Sequence, residues 1–345
     1  MLPNRYLLSL CLLVASLLRA AAAEQPPKLR LNLRDGANFS GVPTTNGITV
    51  VTSYARINVP FSDMQSLAPG KNKTVSVVFP NGDILKGTST VNRIRFKTEF
   101  GTMAIGLRHI HRLAIPENAK FPYWINDGLV AYYKFDGDAN DSGAHKYHGS
   151  VHGAVPATDR FNNPKRAYRI EEKNFVMLSH KTVEGLRNFT ISVWVYFDRL
   201  NTGAGNPGNA ILSVATRDTV NEFLLARGME GDGIGLNLKG DRYGWYEFKN
   251  GAVEERQWHH IVLTRQRSNI TLYIDGKEKD STIGQPDQIT ADYTGVIVGQ
   301  EQDKVGGGFQ TYQSLTGKID DLRIYGRALS AIKVQRLYES EKKEY

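Results

Sequence analysis

The chain has 345 residues, a formal net charge of +8, 41% hydrophobic and 23% charged residues, and one cysteine. That length suggests two domains. A single cysteine excludes a disulfide within the chain, and no stretch beyond the N-terminus is apolar enough to span a bilayer.

Residues 1–23 read as a secretory signal peptide. Arg5 precedes the apolar run LLSLCLLVASLL, and Ala21-Ala22-Ala23 offers small residues before Glu24. The run is about a dozen residues, short of the ~20 that a spanning helix needs, so cleavage is the expectation and an uncleaved anchor the alternative. The only cysteine, Cys11, lies inside this segment. Export without disulfides suits a bacterial envelope, and the expected location is secreted or periplasmic.

Residues 28–115 are expected to form a duplicated basic β domain. Segments 31–68 and 77–114 align without a gap at an offset of 46, matching Gly36 with Gly82, Gly41 with Gly87, Ile48 with Ile94 and Leu67 with Leu113. Each copy opens with an Asp/Asn-Gly hairpin signal and continues as an alternating run. From Glu24 to Ile115 there are 12 Lys/Arg and 5 Asp/Glu, so the net positive charge of the mature chain sits here. Arg93, Arg95 and Lys97 alternate with Ile94 and Phe96, making one strand face basic. That face is either a solvated exterior or a contact for an anionic polymer. Aromatics are not interleaved with the bases, so no specific nucleic-acid partner is expected. His109 and His111 share a face without nearby carboxylates, a weak metal signal. Residues 116–126 read as a linker.

From residue 127 to 340 the chain is short strands and turns, expected to build an all-β, two-sheet antiparallel jelly-roll sandwich. In NFTISVWVYFD, Phe189, Ile191, Val193, Val195 and Phe197 share one face. In WHHIVLTRQ, His259 and His260 fall on opposite faces, so they cannot ligate one metal and are read as packing residues. The segments GLVAYYKFDGDANDSGAHKYHGSVHG, FTISVWVYF, QWHHIVLTRQRSNITLYIDGKE, VIVGQ and LTGKIDDLRIYGRALSAIKVQRLY occur in that order. Together they resemble the laminin-G-like, concanavalin A-like jelly roll of secreted bacterial proteins, related to pentraxins. The resemblance implies a binding or adhesion module, often with a structural calcium ion, with Trp258 in its core.

Two acidic clusters are candidate calcium ligands, Asp136 and Asp141 in the first loop and Asp320 and Asp321 near the last strand. In similar domains that loop and that strand approach one another and can share an ion. Asp320 and Asp321, being adjacent, are expected on opposite faces of their strand. For ligand binding, Arg242, Tyr243, Trp245 and Tyr246 concentrate aromatic and polar groups as a candidate carbohydrate platform, with ordinary sheet residues as the alternative. A glycosidase would need two carboxylates flanking the bond, and no such spaced pair, nucleophile elbow or phosphate loop occurs. The expected function is a secreted or envelope-associated, non-catalytic module that recognises a carbohydrate or protein surface with calcium assistance. The alternatives are a structural envelope component without a discrete site and a glycoside hydrolase on the same scaffold.

Overall fold

Period-two patterning decides the architecture, because a strand with apolar residues at every second position can bury only one face. The computed structural model describes residues 27–79, 83–115, 125–201, 207–219, 221–228, 233–239, 244–285 and 287–342. The proposed signal peptide and most of the proposed linker lie outside them. The fold is all-β and antiparallel, and the chain divides into two units, Met1–Ala119 and Lys120–Tyr345.

The strands of the first unit are β1 (Leu29–Leu33), β2 (Asn38–Pro43), β3 (Gly47–Val51), β4 (Arg56–Pro60), β5 (Ser66–Pro69), β6 (Thr74–Val78), β7 (Ile84–Ser89), β8 (Arg93–Thr98), β9 (Gly101–Gly106) and β10 (Ile110–Ala114). They form one ten-stranded sheet in the order β4-β3-β7-β6-β5-β10-β1-β2-β8-β9. Exchanging each strand for the one five places on reads this order backwards, so a pseudo-twofold axis passes between β5 and β10. There Leu67 pairs with Leu113, which is Leu67 advanced by 46. Among the described residues of this unit, the sixteen that form its buried apolar core are eight pairs at that same offset, among them Leu31 with Val77, Val50 with Phe96 and Phe61 with Leu107.

The two copies are interlaced. β2 of the first pairs with β8 of the second, and β7 of the second pairs with β3 of the first. Glycines stand where these strands meet. A Cβ on Gly87 would overlap the Val51 carbonyl oxygen and lie 2.7 Å from Val50 Cγ1, while one on Gly41 would lie 3.0 Å from Phe96 Cβ.

In the second unit the strands are β11 (Leu129–Tyr133), β12 (Ser150–His152), β13 (Val155–Ala157), β14 (Ala167–Ile170), β15 (Phe175–Met177), β16 (Phe189–Phe197), β17 (Gly208–Val214) and β18 (Phe223–Arg227). They continue as β19 (Gly233–Leu238), β20 (Trp245–Ala252), β21 (Trp258–Gln266), β22 (Asn269–Ile274), β23 (Lys277–Ile283), β24 (Val296–Val298) and β25 (Gly317–Tyr325), before helix α1 (Ala331–Glu341). One sheet runs β13-β14-β25-β16-β21-β22-β23, with β11 also on β25; the other runs β12-β15-β24-β17-β18-β19-β20. Their inner faces share one core, in which Phe189, Ile191, Val193, Val195 and Phe197 of β16 meet Phe223 and Leu225 of β18. Val334 and Leu337 of α1 pack on Val262, Tyr273 and Tyr325 of the first sheet, on the face away from that core. The β22–β23 hairpin turns on Asp275 and Gly276 at φ 53° and 74°, the left-handed pair that an Asp-Gly turn supplies.

His259 and His260 take opposite sides of β21 as their adjacency requires. His259 Nδ1 lies 3.0 Å from Asp275 Oδ2. His260 Nε2 lies 2.8 Å from Ser192 Oγ, its ring stacks on Trp194, and burial pushes its pKa down to about 3. Trp258 corrects the expectation of a core tryptophan. It is half-buried at the start of β21, packed against Tyr196 with the Lys318 ammonium over its ring. Its side chain shares the outer face of His260, two residues on.

Because both glycine sites oppose a strand of the other copy, Gly87→Ala is expected to destabilise the first unit by about 1–3 kcal/mol, and Gly41→Ala by less. Thermal unfolding of the two variants checks this; an unchanged transition in Gly87→Ala would contradict the interlaced pairing.

Candidate metal centre

A buried carboxylate needs hydrogen bonds, a countercharge or a metal, and each acid can be asked which it has. Asp141 has hydrogen bonds. The backbone N–H groups of Tyr132 (2.9 Å) and Gly143 (2.7 Å) donate to Oδ1, and that of Tyr147 (2.9 Å) donates to Oδ2. Asp136 is exposed.

Asp320 and Asp321 have countercharges. Arg160, from the loop after β13, pairs one guanidinium nitrogen with Asp320 and another with Asp321 Oδ2 at 2.6 Å. Tyr132 donates its hydroxyl to the other oxygen of Asp321. This corrects the expectation that the adjacent aspartates face apart. The β16–β25 register shifts between Ser192 and Trp194, and Asp321 takes φ 46°, a bulge that brings both carboxylates to one guanidinium. Burial pushes the Asp320 carboxyl well up, with Asp321 adding to the push; for Asp321, burial is outweighed by Arg323 and Arg160, which hold it low. Glu341 of α1 completes the network, accepting from Trp194 Nε1 at 2.8 Å and pairing with Arg323. Both oxygens of Asp141 and of Asp321 and one oxygen of Asp320 are thus committed to N–H, O–H and guanidinium groups, and this set does not fit a calcium ion.

Another acid is only partly satisfied. After β24 the chain runs through Gln300, Glu301 and Gln302, all buried. Gln300 donates its amide to the carbonyls of Glu172 and Asn174, at 2.9 and 2.7 Å. Gln302 donates to Ser213 Oγ at 2.8 Å and accepts from the Gly306 N–H at 2.7 Å. These anchors hold the segment against β17. Between them Glu301 is 3% exposed and its Oε2 has no hydrogen-bond partner. Burial, then the charge of Asp303, push its pKa up to about 7, and the Asn221 side chain eases the push. Asn221 Oδ1 and Gln313 Oε1 are likewise buried without a partner. Gln313 is tied to the Gln310 carbonyl at 3.0 Å, and Gln310 Nε2 donates to Asp303 Oδ2 at 3.0 Å.

Glu301, Asp303, Asn221 and Gln313 offer two carboxylates and two amide oxygens, three of these side chains carrying a buried oxygen without a partner, and all-oxygen donors of this kind suit a hard cation such as calcium. Among the described residues no three His, Cys, Asp and Glu side chains come together, so acids alone do not reveal the site. The sequence signal available for it is VIVGQEQD, whose Glu301 and Asp303 are spaced by two.

The candidate platform is divided. Arg242 and Tyr243 lie outside the described residues. Trp245 packs with Ala210, Leu224 and Ala226 across the outer face of the second sheet, tight against Gly235. Tyr246 packs against the core from the other side of β20, 4.9 Å from the Phe248 ring. Neighbours on a strand cannot share a stacking face, so these two do not form one platform. In the first unit, His109 accepts from Arg108 Nε at 2.9 Å, and both His109 and His111 are exposed.

Residues 171–335 match the family described as Laminin_G_3, the Concanavalin A-like lectin/glucanases superfamily. The C-reactive protein of Oryctolagus cuniculus is 27% identical over 185 residues, covering 52% of this chain and 79% of that protein. Pentraxin-4 of Homo sapiens is 31% identical over 162 residues, covering 46% of this chain and 32% of its own length. A solved heptameric SAP-like pentraxin from Limulus polyphemus is 26% identical, covering 44% of this chain and 70% of its own, with a TM-score of 0.37. Among the described residues no helix is long and apolar enough to cross a membrane.

Two outcomes are expected. Arg160→Met strands two buried carboxylates and should cost about 3–5 kcal/mol in thermal or urea unfolding; a wild-type midpoint would contradict the pairing. For Glu301, the folded pKa of about 7 exceeds the ordinary 4.5, so without metal its contribution is present below about pH 4.5 and lost as pH rises through 7. Calcium competes with that proton, so the calcium-induced rise in Tm should be larger at pH 8 than at pH 5, worth roughly 2.7 kcal/mol at a hundredfold excess over Kd. Glu301→Gln should abolish the pH dependence of the shift.

Proposed function

Since the second unit is a laminin-G-like, pentraxin-related jelly roll, we propose that it is a non-catalytic binding module assisted by calcium. The observation that carries this reading is the unpartnered, buried Glu301 oxygen, with Asn221 and Asp303 acting on the same carboxyl and with the Asn221 and Gln313 oxygens also unpartnered. Glu301, Asp303, Asn221 and Gln313 would hold the ion. Calcium accepts six to eight oxygens, so four side chains leave positions for oxygens of a ligand. The ligand class is therefore oxygen-rich, a carbohydrate or an acidic group on a protein surface. Asp303 is exposed, so the site opens to solvent.

Hydrolysis finds less support. Asp320 and Asp321 share one guanidinium, which leaves neither free to act as an acid or a nucleophile toward a glycosidic bond. The proposed setting is the secreted or envelope compartment, following the N-terminal signal read in residues 1–23. The aromatic run around Trp245 is not part of the proposed site, because its ring is spent on packing against Gly235.

A glycan array probed with the mature chain, in calcium and in chelator, tests the reading. Signals that need calcium and vanish in Glu301→Gln and Asp303→Asn are expected. Binding of equal strength in chelator would remove the ion from the recognition step. Calcium binding without ligand binding would favour a structural role in the envelope.

A further inference from the structure

The first unit carries its own internal control, two copies of one fold whose equivalent positions differ in charge. A concavity of about 730 Å³ is lined by Arg34, Lys71, Lys73, Arg93, Arg108 and His109, and by no carboxylate among the described residues. The five cations are exposed and form no ion pair among those residues. Moved by 46 positions, Arg93 becomes Gly47, Arg108 becomes Ser62 and His109 becomes Asp63. In the other direction Arg34 becomes Pro80, while Lys71 and Lys73 lie between the two aligned segments and have no twin. The scaffold under Arg93 and Arg108 is the one under Gly47 and Ser62, since β8 and β9 pair in the register of β3 and β4. The fold therefore has no need of these cations. It holds Lys73 at φ 61°, a backbone region that disfavours a lysine.

We infer that this basic concavity is a binding site for an anionic polysaccharide, one whose chain carries sulfate or phosphate groups. Five like charges around one hollow repel each other and raise a positive potential that a polyanion relieves. Guanidinium groups suit sulfate and phosphate because their fork donates two hydrogen bonds to such an oxyanion. The track continues outward: Arg93, Arg95 and Lys97 are the exposed residues of β8, roughly 6.7 Å apart at two residues per step. Among the described residues, His109 is the one aromatic side chain lining the hollow, a single ring where successive nucleobases would need several. That favours a sugar polymer over a nucleic acid.

The test is fluorescence anisotropy of the mature chain with fluorescein-labelled dextran sulfate, and with neutral dextran as the blank. The decisive variant is Arg93→Gly with Arg108→Ser, which gives each position the residue its twin already carries. Its control is Arg30→Ser with Arg56→Ser, an equal loss of exposed charge away from the hollow. The expected result is salt-sensitive binding that the first variant weakens by at least about tenfold while the control stays near wild type. Equal weakening in both would reduce the site to diffuse charge and overturn it. So would no binding at low salt, or a single-stranded DNA oligonucleotide binding tighter than dextran sulfate. Melting curves report whether the variants fold; should the double variant not fold, Arg93→Gly alone, again the twin's residue, carries the same comparison.

Discussion

A carboxylate taken out of water must be given hydrogen bonds or a positive charge, and how each buried acid meets that demand organises the second unit. Asp141 is held by three backbone N–H groups, which fixes the first loop. Asp320 and Asp321 are held by Arg160, and Glu341 by Arg323 and Trp194, which ties α1 to the sheet beneath it. Glu222 pairs with Lys239 and accepts from Thr290. Glu301 stands apart, because Asn221 and the Gln302 backbone satisfy it only in part, its Oε2 has no partner, and its charged neighbour is another acid, Asp303. The same physics that makes three clusters structural is why this one is the proposed cation site.

The first unit answers to a different constraint. Its halves complete each other's sheet, so the backbone symmetry is preserved down to Leu67 facing Leu113. Side chains outside the sixteen-residue core are free of that symmetry. The charges diverge there, and the hollow lined by Arg93 and Arg108 has no counterpart in composition around Gly47 and Ser62. Packing explains what the copies share, and it leaves the cations to a role outside the fold.

The sandwich was legible where information is local. The alternation in β16 and β21, the Asp275-Gly276 turn and the order of five motifs fixed the class and the resemblance, since period and turn chemistry act over a few residues. What escaped depends on distant contacts. Arg160 lies in the loop segment ATDRFNNP, which carries no pattern of its own, and only the folded chain brings it to β25. The bulge at Asp321 inverts a facing that strict alternation requires. The candidate metal centre hid because half of its donors are amides, and an acid-rich loop drew attention to Asp136 and Asp141 instead.

The central claim is that the cation belongs to Glu301 and its amide neighbours, and that the acids on β25 already have Arg160. The most direct measurement is an anomalous difference map from crystals of the mature chain grown with calcium. The account predicts a peak at calcium–oxygen distance, about 2.3–2.6 Å, from Glu301, Asn221 and Gln313. A peak between Asp136 or Asp141 and Asp320 or Asp321, with Arg160 displaced, would contradict it.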